Sequence, residues 1–425
     1  MRTLNGMFLA AILLSAVMPA AGQKFLPKTI QFKGAPDYSD QELMAAAGLS
    51  KGVVLSYAEM NDHSKRLMDS GVFESLTFKF DGQDLIFQVT LSPDLLPVRI
   101  ENLPLTPGKD LEDKLHKMLP LYLGKVPAEG GLAEDVRGAL ESMLAAQGIK
   151  ATVVAAPSGD PKLHNRVTAM TYSITTPPVL VKAVRVDGAS AAFHDKIDDI
   201  ARDAAKSQFD TANSANNLEH AFKIFYEDQG YAAVKVRATR SGNATQTPDA
   251  IEVPFAISIE EGRVYKVGAV QLPAGAAVTQ AEIDKMLAER PGGPPEGVRL
   301  RSLWQLVALR YKAKGNLDCK VTPHPVFDDA AGTVSYTVDV DPGPVYHLAF
   351  VKFDNVSDEL RAQLIRNWQM LPGDPFDENY VSNFIAKVQM QDPVLRRSLA
   401  GVKVKFDVSA DQQTHDVNVV LRLEK

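Results

Sequence analysis

The sequence predicts an α+β protein built as a tandem array of five β-α-α-β-β units. Three observations predict it. Apolar residues that end a first strand recur at Phe32, Leu103, Val186, Leu272 and Phe353, in steps of 71, 83, 86 and 81 residues. A glycine follows a second helical stripe in every unit, at Gly71, Gly148, Gly230, Gly315 and Gly401. An alternating apolar/polar run closes most units, as in Ile251, Val253, Phe255, Ile257 and Ile259. Recurrence at one period marks a repeat architecture. Strict alternation marks a strand with one face buried and one in water.

The elements follow in chain order. Arg2, the short apolar run at residues 7–17 (MFLAAILLSAV) and Pro19-Ala20-Ala21-Gly22 read as a secretory signal peptide over residues 1–22. The alternative is a retained N-terminal anchor. No later stretch approaches about 18 apolar residues, so no integral membrane segment is expected after cleavage. The units are expected over 23–94, 95–177, 178–262, 263–343 and 344–425. Capping boxes start the first helix at Ser39…Glu42 and Thr279…Glu282. Gly52, Gly124, Gly292 and Gly373 are expected to close it, whereas unit three has Ser207-Gln208 there. The second helix carries a stripe such as Leu132, Val136, Leu140 and Met143 on one face. The joints, such as Thr176-Pro177-Pro178 and Asp341-Pro342-Gly343-Pro344, are short. Five autonomous units in a semi-rigid string are therefore expected.

Composition excludes several classes of function. The chain has 425 residues, is 45% hydrophobic and 23% charged, and carries a net charge of −6. It shows no basic stripe for nucleic acid. Its single cysteine, Cys319, forms no internal disulfide; the strand register turns it inward, as a buried small apolar residue, the alternatives being a reactive thiol or an intermolecular crosslink. The eight histidines are scattered, and His194-Asp195 with Asp198-Asp199 reads as a solvated acidic face at a helix start. No nucleophile elbow, P-loop or dinucleotide fingerprint occurs. No catalytic residue, metal ligand, cofactor or small-molecule substrate is expected.

The Phe32-Lys33-Gly34 strand end, the Leu49 to Gly52 turn and the Gly71-Val72-Phe73 start of strand two resemble POTRA domains. So does the Glu261-Gly262…Tyr265 exit, echoed at Gly343…Tyr346. Such units form the periplasmic arm of BamA- and TamA-type outer-membrane assembly proteins. Unit two departs from the pattern with Leu103-Pro104 in place of the first-strand glycine, and unit five with an insertion at Pro393. The sequence ends on the last strand of unit five, so the barrel that usually follows such an arm is not expected, and its pore activity is not carried over.

The resemblance implies three-stranded mixed sheets with two helices on one face, strand three central and strand two on an edge. An edge can take an extended peptide as an added strand. Unit two offers Ala151, Thr152, Val153, Val154 and Ala155, small and uncharged, as the expected client-binding edge. Lys235 and Arg237 in unit three, and Lys403 and Lys405 in unit five, guard secondary edges. Pro323 and Pro325 should face the free side in unit four. The expected partners are unfolded outer-membrane proteins or envelope assembly factors, and the expected place is the periplasm, at the outer membrane through a partner. The alternatives are a structural scaffold of the envelope or division complex without unfolded clients and, far behind, a hydrolase.

Overall fold

Backbone hydrogen bonds turn the alternating runs into strands and the capped stripes into helices. The computed structural model describes residues 24–81, 83–106, 108–159, 167–288 and 295–424. The expected signal peptide and Gly292 lie outside the described residues. Unit one contains β1 (Lys24–Phe25), β2 (Thr29–Lys33), α1 (Asp40–Ala47), β3 (Leu55–Ser56), α2 (Tyr57–Asp69), β4 (Phe73–Asp81) and β5 (Asp84–Leu91). Unit two contains β6 (Leu95–Ile100), α3 (Lys109–Met118), β7 (Lys125–Pro127), α4 (Gly131–Ala146), β8 (Thr152–Gly159) and β9 (Val167–Thr176). Unit three contains β10 (Val179–Asp187), α5 (His194–Ala204), α6 (Ser214–Asp228), β11 (Lys235–Arg240), β12 (Thr245–Gln246) and β13 (Ile251–Glu260). Unit four contains β14 (Lys266–Gln271), α7 (Gln280–Leu287), α8 (Glu296–Lys312), β15 (Lys320–Asp328) and β16 (Thr333–Asp341). Unit five contains β17 (His347–Asp354), α9 (Asp358–Asn367), α10 (Glu378–Gln391), α11 (Pro393–Ser398), β18 (Lys403–Ala410) and β19 (Asp416–Glu424).

The class is α+β with mixed sheets. Their orders are β2-β5-β4, β7-β6-β9-β8, β10-β13-β11, β14-β16-β15 and β17-β19-β18. In each, the first long strand runs parallel to the central one and the second antiparallel to it. Central residues such as Leu85, Phe87 and Val89 are buried on the helix side. Among the described residues, no helix is long and apolar enough to cross a membrane.

Two expectations are corrected. Units two and three carry four-stranded sheets, because β7 lies along β6 and β12 adds to β13. The glycines expected to close the first helix also sit elsewhere. Helix α1 ends at Gly48, in the left-handed conformation, while Gly52, Gly124 and Gly373 lie in the following turns with φ of 77°, 80° and 92°. A glycine repeated at one offset marks a positive-φ turn, and a turn after a helix need not be its cap.

The units are not independent either. One continuous core runs from Ile30 to Ile259 and joins the first three. Separate clusters serve units four and five. At the first joint, Leu132 N–H donates to Ser70 O at 3.1 Å, and a Cβ on Gly130 would meet Ser70 O at 2.7 Å and Gly71 Cα at 2.8 Å. At the third, Gly297 lets α8 abut Glu227, and Arg301 clasps Asp228 at 2.5 and 3.0 Å. The end of one unit's second helix thus meets the start of the next one's. The repeated exit tyrosine adds backbone bonds, Tyr265 N–H to Gly230 O at 2.9 Å and Tyr346 N–H to Gly315 O at 2.8 Å. Close backbone approach at these joints requires residues without a Cβ.

The capping boxes form as the sequence predicts, at Ser39/Glu42 and Thr279/Glu282, with a third at Ser56/Glu59. The capped backbone N–H and the serine or threonine hydroxyl hold each carboxyl below its ordinary value of 4.5. A depressed carboxyl contributes stability above its unfolded pKa and loses it as pH falls through the folded one. We therefore expect helicity at α1, α2 and α7 to decline below about pH 4.5. Ser39→Ala should cost about 1 kcal/mol at neutral pH and flatten that decline, as read by circular dichroism and urea titration. An unchanged pH profile would refute it.

Candidate functional site: the outward edges of the second strands

Opposite residues of an antiparallel pair alternate between exchanging both hydrogen bonds and pointing both groups away. Which ones point away is fixed by the central strands. Lys28 N–H donates to Gln83 O (2.8 Å), Ile251 to Pro178 (2.9 Å), Lys266 to Gly332 (3.0 Å) and His347 to His415 (2.9 Å), all on the first-strand side. In unit two the Asn102 carboxamide accepts from Ile174 N–H at 2.7 Å and donates to Ile174 O at 2.9 Å, on the β6 side. Ile174 is paired with Val153, so Val153 turns its own N–H outward.

Carried through the registers, this parity assigns the outward donors. They are Leu76, Phe78 and Phe80 on β4; Val153 and Ala155 on β8; Val236, Ala238 and Arg240 on β11; and Val404, Phe406 and Val408 on β18. On β15 the same parity puts Pro323 and Pro325 on the outward side, as expected, and removes two donors there.

The edges differ in what already occupies them. Glu141 Oε1, from α4, accepts the Val153 N–H at 2.9 Å. Glu219 Oε1, from α6, accepts the Ala238 N–H at 2.9 Å. Glu141 also pairs with Arg137 at 2.7 Å, and the hydrogen bonds Arg137 donates to Glu134 and then to Glu141 raise its guanidinium above its usual pKa. On β8, Pro157 falls at the outward parity and supplies no donor. Among the described residues, no side chain caps the outward N–H groups of β4 or β18.

The structure places the sequence-predicted residues as follows. Ala151 is half-buried just before β8, Thr152 sits at a β-bulge, and Val153 is buried. Val154 is 38% exposed, with its N–H toward β9, and Ala155 turns its N–H outward. The strand is bare of charge, as its sequence predicts, yet its first outward donor is taken. The neighbouring unit also grips its start, through Gln246 on Lys150 N–H (2.6 Å) and O (2.9 Å). Lys235 pairs with Glu260 across the strand at 3.0 Å, and Arg237 is exposed. Lys403 and Lys405 stand on the exposed face of β18. Cys319 is half-buried rather than fully buried, in the turn before β15, where burial raises its thiol pKa. The acidic start of α5 is solvent-exposed, with Asp199 on Arg202 at 2.9 Å.

Sequence reading missed Glu141, Glu219 and Pro157. Glu141 stands seven residues before Gly148 and Glu219 eleven before Gly230, so no common offset marks them. A carboxylate on the helix face nearest the sheet edge was the only available signal.

No family model matches the chain. It is 20% identical over 367 residues to the outer membrane protein assembly factor BamA of Buchnera aphidicola subsp. Acyrthosiphon pisum (strain APS). That match covers 82% of this chain and 57% of the relative, so the chain spans less than two thirds of the relative's length. Among solved structures, POTRA domains 3–5 of Haemophilus influenzae BamA match with 14% identity and a TM-score of 0.38, over 58% of this chain and 96% of that one. The POTRA1–3 fragment of Omp85 from Anabaena matches with 18% identity and a TM-score of 0.21, over 59% and 96%. Over 82% of its own length, the chain is thus similar in sequence to the outer-membrane protein assembly factor BamA.

Proposed function

We propose that this chain is a non-enzymatic periplasmic arm of five POTRA-like β-α-α-β-β units. It assists outer-membrane protein assembly by adding extended segments of client or partner proteins to the edges of its sheets. The observation that carries this reading is the strand order. All five sheets put the second strand at an edge, with donors and acceptors facing out. The named function of the BamA relative supports the same cellular role. The primary edge is Ala151, Thr152, Val153, Val154 and Ala155, with Ala155 offering an unoccupied N–H. The edges flanked by Lys235, Arg237, Lys403 and Lys405 are secondary. Recognition reads backbone first, so clients of many sequences are accepted. Each added bond contributes only about 0.5–1.5 kcal/mol net, so pairing is weak and reversible.

The test is binding of a urea-denatured porin, diluted into buffer, to the full chain, with crosslinks mapped by mass spectrometry. Crosslinks along second strands are expected. An absence of binding favours a second reading, a rigid envelope scaffold. The core shared by the first three units and the tight glycine joints speak for that alternative.

A further inference from the structure

An outward N–H on an edge strand can serve one strong acceptor at a time. In units two and three that acceptor is a carboxylate from the chain's own second helix, at 2.9 Å in both cases. The sequence offsets differ by four residues, about one helical turn, so both side chains leave the same helix face by different routes. Two different positions reaching one geometry argue against an accident of a single repeated register. The capped residues, Val153 and Ala238, are both buried and carry no charge of their own. Val153 N–H is the first outward donor of β8, and Ala238 N–H is the middle outward donor of β11.

We propose that Glu141 and Glu219 are gating residues, internal competitors for the backbone of an added strand. The β8 and β11 edges then pair along their full length only when an incoming carbonyl displaces the carboxylate, whereas no such carboxylate caps the outward donors of β4 and β18. This rests on the strand-addition reading above. Displacement at Glu141 has a built-in receiver. Arg137 holds the same carboxylate at 2.7 Å and grips Glu134 as well. Glu141 keeps 29% of its side chain exposed. The displaced carboxylate therefore stays paired and wet, and no buried charge is left alone. The gate also selects. An acidic client residue beside Glu141 or Glu219 meets like charge, so the gated edges favour extended segments that are neutral or cationic there.

The experiment uses the full chain and a capped, neutral ten-residue peptide of alternating valine and threonine. Binding is read at the backbone amides of residues 153–155 and 236–238 by NMR, so the uncapped edges of units one and five do not contribute. Glu141→Ala should speed hydrogen exchange at the Val153 amide and tighten peptide binding at β8 about tenfold, because a hydrogen bond to a charged acceptor is lost from the competing state. Glu219→Ala should do the same at Ala238. Glu141→Asp, which keeps the charge but shortens the reach, should give a similar gain if the alanine variant folds poorly. Adding Val153→Pro to Glu141→Ala should abolish the gain. Faster Val153 exchange without tighter binding overturns the gate and leaves the carboxylates as structural caps. Peptide binding at β8 in wild type with no gain in any variant also overturns it, while strand addition survives. No binding at any edge overturns both.

Discussion

Replacing Gly188 by alanine is expected to destabilise unit three by about 2–5 kcal/mol. Gly188 follows β10 with φ of 94°, which L residues rarely adopt. An alanine Cβ there would lie 2.1 Å from Ile259 O. That oxygen belongs to the central strand β13 and has no room to yield without breaking the ladder. Gly34 shows the same arrangement in unit one, with φ of 101° and Val89 O at 2.0 Å from the would-be Cβ. The matched control is Gly124→Ala, where φ is 80° but nothing lies within 4 Å of the added atom. That change meets only backbone strain, about 1–2 kcal/mol. Peptide-resolved hydrogen exchange along β13, together with a lowered melting temperature, should separate the two variants. Equal effects would show that strain, not the carbonyl contact, makes the glycine necessary.

The same position explains how far the sequence was readable. The strand-ending glycine was visible in units one and three because a repeat exposes it. Its absence from unit two is a departure from the repeat in sequence. In the structure, Asn102 does the corresponding work there, donating its amide to Ile174 O, the central-strand carbonyl at that level. In unit five Asn355 takes the positive φ itself, at 56°. Local periodicity carried the strands, the helices and the caps, since each is set by residues a few positions apart. It could not carry the joints. Gly130 and Gly297 look like ordinary loop and helix residues until the neighbouring unit's backbone is placed against them. Nor could it carry the gates, since the reach of Glu141 to Val153 depends on how α4 lies over the sheet. Charges along the strands guard some edges, and in units two and three a carboxylate from the overlying helix adds to them.

The edge itself is tested by a pair of prolines one residue apart. Val154 turns its N–H toward β9 and pairs with Ser173, whereas Val153 turns its N–H to Glu141. Val154→Pro removes a ladder bond and sets a ring against the partner strand, and the carbonyl left without its donor alone costs about 1–3 kcal/mol. We expect β8 to detach, exchange protection to collapse along β9, and the loss to spread into units one and three through the shared core. Val153→Pro removes no ladder bond; it loses the bond to Glu141, worth about 1.5–3 kcal/mol at most for a charged acceptor, and replaces a buried core side chain, so the unit should be weakened but stay folded. Denatured porin should nevertheless lose its crosslinks to unit two in this variant, because the first outward donor has gone and Pro157 already lacks one. Limited proteolysis reports the folding arm and crosslink mapping the binding arm. If both variants fold and capture porin at unit two as wild type does, β8 is not the acceptor. The uncapped edges of β4 and β18 would then be the remaining places for an added strand.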